Sequence, residues 1–267
     1  MRDVAGGEPS RGRAARGVSG IGDTVKTVLW AVFIALIIRT FAFESFNIPS
    51  SSMVPTLLVG DYLFVSKFSY GYSRYSLPYG LGWFSGRIFE RPVERGDVVV
   101  FRLPRDPRTD YIKRIVGLPG DRIQVTNGIL HINGKPVERI KVGDYVQGAG
   151  GGYRAGTLYN EVLPNGRRHE IVETTDAGVS DNTPEFLVPP GHLFMMGDNR
   201  DDSMDSRTHL TLSTGQAAQT GWYVPAENLV GRAEFIFFSH DPSAASWYEP
   251  WKWPQAIRFS RFFQAIH

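Results

Sequence analysis

The 267-residue chain has no cysteine, which excludes a disulfide framework and a thiolate zinc site and leaves its compartment to be read from other features. It has little excess charge. A formal net charge of +2, with no stripe of interleaved basic and aromatic residues, argues against a nucleic-acid partner. It has no internal repeat of fixed period, which excludes solenoids and propellers. It also lacks a long hydrophobic run, since the uncharged stretch at residues 27–38 falls short of the roughly 20 apolar residues that cross a bilayer core. A Gly-x-Ser-x-Gly elbow is missing too: the nearest approach, Gly17-Val-Ser-Gly20, lacks the last glycine. The Ser-x-x-Lys pattern is likewise absent around the serine cluster at residues 50–52.

What is present begins with a Gly/Ala/Arg-rich head, residues 1–23, carrying Arg2, Arg11, Arg13 and Arg16, which reads as disordered and cytoplasmic. Lys26 and Arg39 bracket the apolar run. If both snorkel toward opposite headgroup layers, a helix over residues 24–43 rises about 1.5 Å per residue and nearly spans the hydrocarbon. This favours a single retained transmembrane anchor over a cleaved signal sequence or a buried core helix. The basic residues precede the run, so the positive-inside rule puts the N-terminus in the cytoplasm and everything after Glu44 outside.

After Glu44 the period changes. Short β-type runs at residues 62–65, 97–101, 122–125 and 129–132 are separated by Leu118-Pro-Gly-Asp121 and by the hairpin signals Asn127-Gly128 and Asn133-Gly134. Many short strands without alternating helices predict a mainly β fold with an antiparallel sheet body. Residues 142–190 differ, with few apolar runs and a low-complexity glycine tract at 148–152, and read as a smaller inserted subdomain. The C-terminal stretch at 247–263 mixes Trp, Phe and basic residues. It suits either a membrane interface or a surface helix packed on the body.

Three clusters could carry chemistry. The first is Ile48-Pro-Ser-Ser-Ser-Met-Val-Pro-Thr-Leu57, just past the outer end of the anchor. Serines between prolines are ordinarily a turn, and a hydroxyl attacks at neutral pH only with a base beside it. None of the six histidines (His131, His169, His192, His209, His240, His267) sits in a recognisable motif, so a Ser-His-Asp triad could arise only by spatial convergence. The second cluster, Tyr111-Ile-Lys-Arg-Ile-Val-Gly117, sets two cations among bulky residues. Alternation puts Lys113 with Tyr111 and Ile115 on one face and Arg114 with Ile112 on the other, so one cation is expected to be buried. Burial lowers a lysine's pKa while arginine stays protonated, so only Lys113 can become a neutral base. The third, Gly197-Asp-Asn-Arg-Asp-Asp-Ser-Met-Asp-Ser-Arg207, has the composition of a calcium loop. From Asp198 it lacks glycine at the sixth position and glutamate at the twelfth, so no metal is expected and an ion-paired loop fits better.

With Arg95-Gly-Asp-Val-Val-Val-Phe101 added, these ordered segments resemble the bacterial type I signal peptidases, Ser/Lys endopeptidases of the inner membrane. The resemblance covers most of the chain. It implies a mostly antiparallel catalytic body (residues 44–126 and 191–267) interrupted by a variable insertion at 127–190. By position Ser52 is the nucleophile, Lys113 the general base, and Ser50 an oxyanion-hole hydroxyl. Ser203 orients the lysine, Asp205 and Arg207 hold the loop, and Phe46, Ile48, Leu57, Tyr111 and Ile112 help line the substrate groove. The implied reaction is removal of signal peptides from exported preproteins after Ala-x-Ala ends, without cofactor or metal, near the export translocon and membrane lipid. Two features depart from the family pattern: an insertion at 208–220, and one anchor where some relatives have two. A narrow-client peptidase would keep the dyad, whereas a non-catalytic β-domain that binds exported chains would not need it.

Overall fold

The computed structural model describes residues 20–77, 84–147, 154–208, 222–245 and 248–267. The head at 1–19, the glycine tract, Trp247 and residues 209–220 of the insertion lie outside the described residues. Residues 1–38 and 39–267 form two compact units. α1 (Ile21–Phe41) starts at Ile21 rather than residue 24, with Asp23 in its first turn and Arg39 in its last, each suited to the helix dipole. It stops before Phe43 because β1 (Phe43–Asn47) opens there, pairing Phe43 with Ser66 of β2 (Asp61–Ser66). The apolar side chains of α1 are exposed on every side, and Gly22–Phe41 is long and apolar enough to cross a membrane.

In the second unit β3 (Tyr72–Ser73) pairs antiparallel with β4 (Arg87–Ile88), followed by β5 (Val98–Leu103) and β6 (Asp106–Gly117). Next come β7 (Arg122–Thr126), β8 (Ile129–Ile132) and β9 (Lys135–Pro136), then β10 (Glu138–Gln147), β11 (Arg154–Val162) and β12 (Arg168–Glu173). β13 (Phe186–Leu187), β14 (His192–Met196), β15 (Val224–Pro225) and β16 (Leu229–Ser239) complete the strands, and α2 (Trp253–Ala256) is a single turn. Seven strands form the main sheet in the order β1-β2-β16-β5-β6-β14-β15, with antiparallel pairing throughout. The expected mainly β, antiparallel body is therefore what the chain adopts.

Both faces of this sheet are covered. Val98 and Val100 pack with Met53, Leu57, Leu63 and Ile236, while Val99 and Phe101 pack with Tyr70, Ile115, Met195 and Leu229. A continuous apolar run buried on two sides is the pattern of a central strand. A third cluster joins Val116, Ile123, Val125, Leu130, Ile132, Phe194 and Met196 across β6, β7, β8 and β14. The four expected runs fall on β2, β5, β7 and β8. Both Asn-Gly pairs turn with positive φ, at 49° and 73° for Asn127-Gly128 and 55° and 77° for Asn133-Gly134, the backbone that a two-residue hairpin turn needs. The region richest in polar residues forms its own three-stranded sheet, β10-β11-β12.

Candidate active site

The serine segment follows β1 and is pinned before any chemistry is considered. The Ile48 N–H donates to Asp61 O at 2.8 Å and the Gly60 N–H to Ile48 O at 2.9 Å, closing the segment into a loop between β1 and β2. Met53, Val54 and Leu57 are fully buried and anchor it in the core. The loop after β14 holds its other side: Asn199 donates its backbone N–H to Ser52 O and its side-chain Nδ2 to Ser51 O, each at 3.1 Å. Ser51 Oγ donates to Asp202 Oδ2 at 2.5 Å and Thr56 Oγ1 to Asp198 Oδ2 at 2.6 Å.

Lys113 reaches this segment from β6. Its amine lies 2.5 Å from Ser52 Oγ, and both side chains are buried. The amine is also 5.7 Å from the centre of the Tyr111 ring, on the face that alternation assigned to it. Burial pushes the Lys113 amine down to about 8, against the pull of Asp205 and Asp198 in the opposite direction. Ser50 Oγ is 3.4 Å from Ser52 Oγ, at the exposed edge of the pair.

Arg114 is buried as well, so both neighbouring cations are inside, where one was expected. The second is tolerated because it is fully paired: Nε donates to Asp198 Oδ1 at 2.8 Å and Nη2 to Asp198 Oδ2 at 2.7 Å, while Nη1 donates to Gly96 O and His267 O. Burial pushes the Asp198 carboxyl up, yet the Arg114 guanidinium holds it below the usual range. Asp198 thus links Arg114 to Thr56 of the serine segment. Sequence reading missed this chain of contacts, and the signal available was an arginine beside the lysine together with an aspartate opening the third cluster.

Asp205 accepts two hydrogen bonds from the Arg207 guanidinium, at 2.9 and 2.8 Å, one from the Arg207 backbone N–H at 3.2 Å and one from the Gly197 N–H at 2.9 Å. Arg207 keeps its carboxyl below the usual range even though burial acts to raise it. Ser203 Oγ is buried and makes no well-formed hydrogen bond among the described residues, although it lies close enough to Asp205 to help hold that carboxyl down. Gly197 lies between these groups: a Cβ there would sit 2.2 Å from Ser203 Oγ and 2.5 Å from Ser52 O. Of the groove candidates, Phe46, Tyr111 and Ile112 are half-buried, whereas Ile48 and Leu57 are core residues at 2% and 0% exposure.

The catalytic class comes first: the chain is a serine peptidase, a hydrolase, and a family model described as signal peptidase, peptidase S26, matches its residues 21–238. Signal peptidase I of Rickettsia typhi is 39% identical over 257 residues, covering 89% of this chain and 91% of that protein. Signal peptidase I of Rickettsia canadensis is 39% identical over 261 residues, covering 91% of this chain and 92% of that protein. A crystal structure of a signal peptidase I from Enterococcus faecalis matches 53% of this chain and 97% of its own at 21% identity, with a TM-score of 0.29, too low to bear on the fold. The chain belongs to the signal peptidase family S26.

Proposed function

We propose that the protein removes N-terminal signal peptides from exported preproteins, cutting after Ala-x-Ala ends with Ser52 as nucleophile and Lys113 as general base. The observation that carries this reading is the 2.5 Å contact between a buried amine, pushed down to about 8, and the hydroxyl of a serine whose carbonyl is held by the Asn199 N–H. Neutral Lys113 takes the Ser52 proton as Oγ attacks the carbonyl before the scissile bond. The oxyanion is held by the Ser50 hydroxyl and a backbone N–H beside Ser52. Lys113 then gives the proton to the leaving amine, and a water deprotonated by the same lysine hydrolyses the ester. No step needs a metal or cofactor.

Ser203, whose buried hydroxyl lacks a well-formed partner among the described residues, orients the Lys113 amine, and the Asp205–Arg207 pair holds the loop that carries it. Phe46, Ile48, Leu57, Tyr111 and Ile112 shape the groove, with Ile48 and Leu57 supporting it from beneath. In this reading Gly22–Phe41 is the inner-membrane anchor, the N-terminus is cytoplasmic, and the body works on the outer face near the translocon. Exposed Trp251, Trp253, Phe259 and Phe263 meet lipid there. Residues 127–190, which contain β10–β12, form the variable insertion.

The test is cleavage of an Ala-x-Ala peptide by the purified full-length protein in detergent. Ser52→Ala and Lys113→Met are each expected to lower the rate by about 100 to 10,000-fold or more. Undiminished cleavage by Lys113→Met would sink the dyad.

A further inference from the structure

A second group of carboxylates, two of the three buried, lies beside the active-site loop and takes no part in the chemistry above. Glu173 ends β12, Asp181 belongs to the loop between β12 and β13, and Asp201 sits in the loop after β14. One oxygen from each lies within 4.8 Å of the other two. Glu173 is 3% exposed and Asp181 0%, yet both Glu173 oxygens and Asp181 Oδ1 are buried without a hydrogen-bond partner among the described residues. A bare carboxylate in such a place is costly unless a counter-charge meets it.

The nearby arginines fill that role only in part. Arg200 gives Nη2 to Glu161 at 2.5 Å. Arg139 stands 3.8 Å from Glu173 Oε2 and bonds Asp176 at 3.1 Å instead. Arg139, Arg200 and Arg207 therefore offset part of the charge on Glu173, but none of them hydrogen-bonds any of the three carboxylates among the described residues.

The geometry favours a cation. The missing side chain at Gly178 leaves only a narrow gap, since a Cβ there would sit 2.6 Å from Asp201 Oδ1 and 3.0 Å from Asp181 Oδ2, the oxygen that accepts the Gly178 N–H at 2.5 Å. A cavity of about 370 Å³ lined by Thr174, Thr175, Gly178 and Asp201 opens beside it and gives a solvent route. Asp201 Oδ2 accepts the backbone N–H groups of Thr174 and Thr175, at 2.7 and 3.0 Å, which fixes its other oxygen toward the gap. Oxygen atoms spread over this distance suit a hard cation with ligands at about 2.3–2.6 Å, the calcium range. Magnesium keeps several waters and takes one or two carboxylates, so three from separate segments favour calcium.

We propose that Glu173, Asp181 and Asp201 bind one divalent cation, best Ca²⁺, which ties the active-site loop to the β10–β12 sheet. The loop is already strapped there, since the Arg200 N–H donates to Val172 O and the Val172 N–H to Asp198 O, each at 2.9 Å. Asp201 directly precedes Asp202, the acceptor for Ser51. The cation would therefore brace the loop that holds the serine segment, without touching substrate.

The experiment uses the full chain in detergent, stripped with chelator, at one fixed pH. Calorimetric titration with CaCl₂ is expected to give one saturable site, and Ca²⁺ should raise the unfolding midpoint by more than the same concentration of Mg²⁺. Glu173→Gln, Asp181→Asn and the less buried Asp201→Asn should each weaken Ca²⁺ binding by roughly tenfold or more, through loss of a charged ligand. The variants should unfold no more easily than wild type in chelator, which separates loss of a ligand from loss of the fold. Absence of saturable binding at millimolar Ca²⁺ overturns the proposal, as does a midpoint shift that Mg²⁺ reproduces and all three variants retain.

Discussion

Lys113 and Arg114 are adjacent and both buried, and what separates them is the fate of a proton. Arg114 stays charged and is matched by two bonds to Asp198, whereas Lys113 meets a neutral hydroxyl and is pushed down to about 8 by burial. If Lys113 is the base, as proposed, the active form is the deprotonated one, and kcat/KM should fall about tenfold per pH unit below pH 8 and level off above it. A profile that stays flat to pH 5 contradicts a lysine base. Lys113→Met should be inactive and yet, at pH 7, more stable to heat by about 1–3 kcal/mol, because it removes an ammonium whose folded-state pKa lies below its usual value. The sign follows from linkage: between about 8 and 10.5 the unfolded chain holds the proton more often than the folded one, and below that window the full penalty applies. On the proposed role of Ser50, Ser50→Ala would remove one oxyanion donor and keep the base, so kcat should drop about 100 to 1,000-fold while the pH limb stays near 8. A shifted limb would mean instead that Ser50 acts through Lys113.

Among the elements, the loop after β14 governs the site. It bonds both flanks of Ser52 and passes Gly197 between Ser203 Oγ and Ser52 O. A methyl at 197 would press on the Ser52 backbone, which cannot rotate away, and on a buried hydroxyl. Gly197→Ala should cost about 1–3 kcal/mol of stability and most of the activity, read by thermal unfolding and peptide cleavage of one preparation. Activity within twofold of wild type would show that the loop has slack. Much of this framework was legible in the sequence. The period-2 runs gave β2, β5, β7 and β8, and the Asn-Gly pairs gave the two hairpins, because backbone sterics act locally. β10–β12 were hard to read strand by strand because their faces are only partly covered: Ile140, Val142 and Val146 stay exposed, and no clean alternation survives. Ser52 and Lys113 could be paired only through the family's ordered motifs. Their contact spans 61 positions and depends on which strands neighbour each other, which no local pattern encodes.

At the largest scale, the second unit brings its C-terminal residues back to the segment that carries Ser52. β16, from near the C-terminus, lies between β2 and β5, and the last residues follow it: Ile236 and Gln264 share a backbone bond, and the Ile266 N–H donates to Glu234 O. Arg261 then reaches back across 200 positions to Asp61, donating Nη2 to Oδ2 at 2.6 Å and to Thr56 O at 2.9 Å. Asp61 is fully buried and also accepts Ser239 Oγ and the Leu58 N–H, so it joins β16, the tail and the end of the serine segment. Arg261→Ala strands a buried carboxylate and should cost about 3–5 kcal/mol. Adding Asp61→Asn to Arg261→Ala removes that stranded charge, so the double variant should recover part of the loss. Thermal unfolding of the two singles and the double forms the cycle that measures this. The single variant should also lose activity although Arg261 contacts neither Ser52 nor Lys113, because residues 56–61 lose the clamp that fixes the downstream side of the nucleophile. A loss below 1 kcal/mol, or strictly additive effects, would mean that the tail merely covers the sheet and that the serine segment is held by the loop after β14 alone.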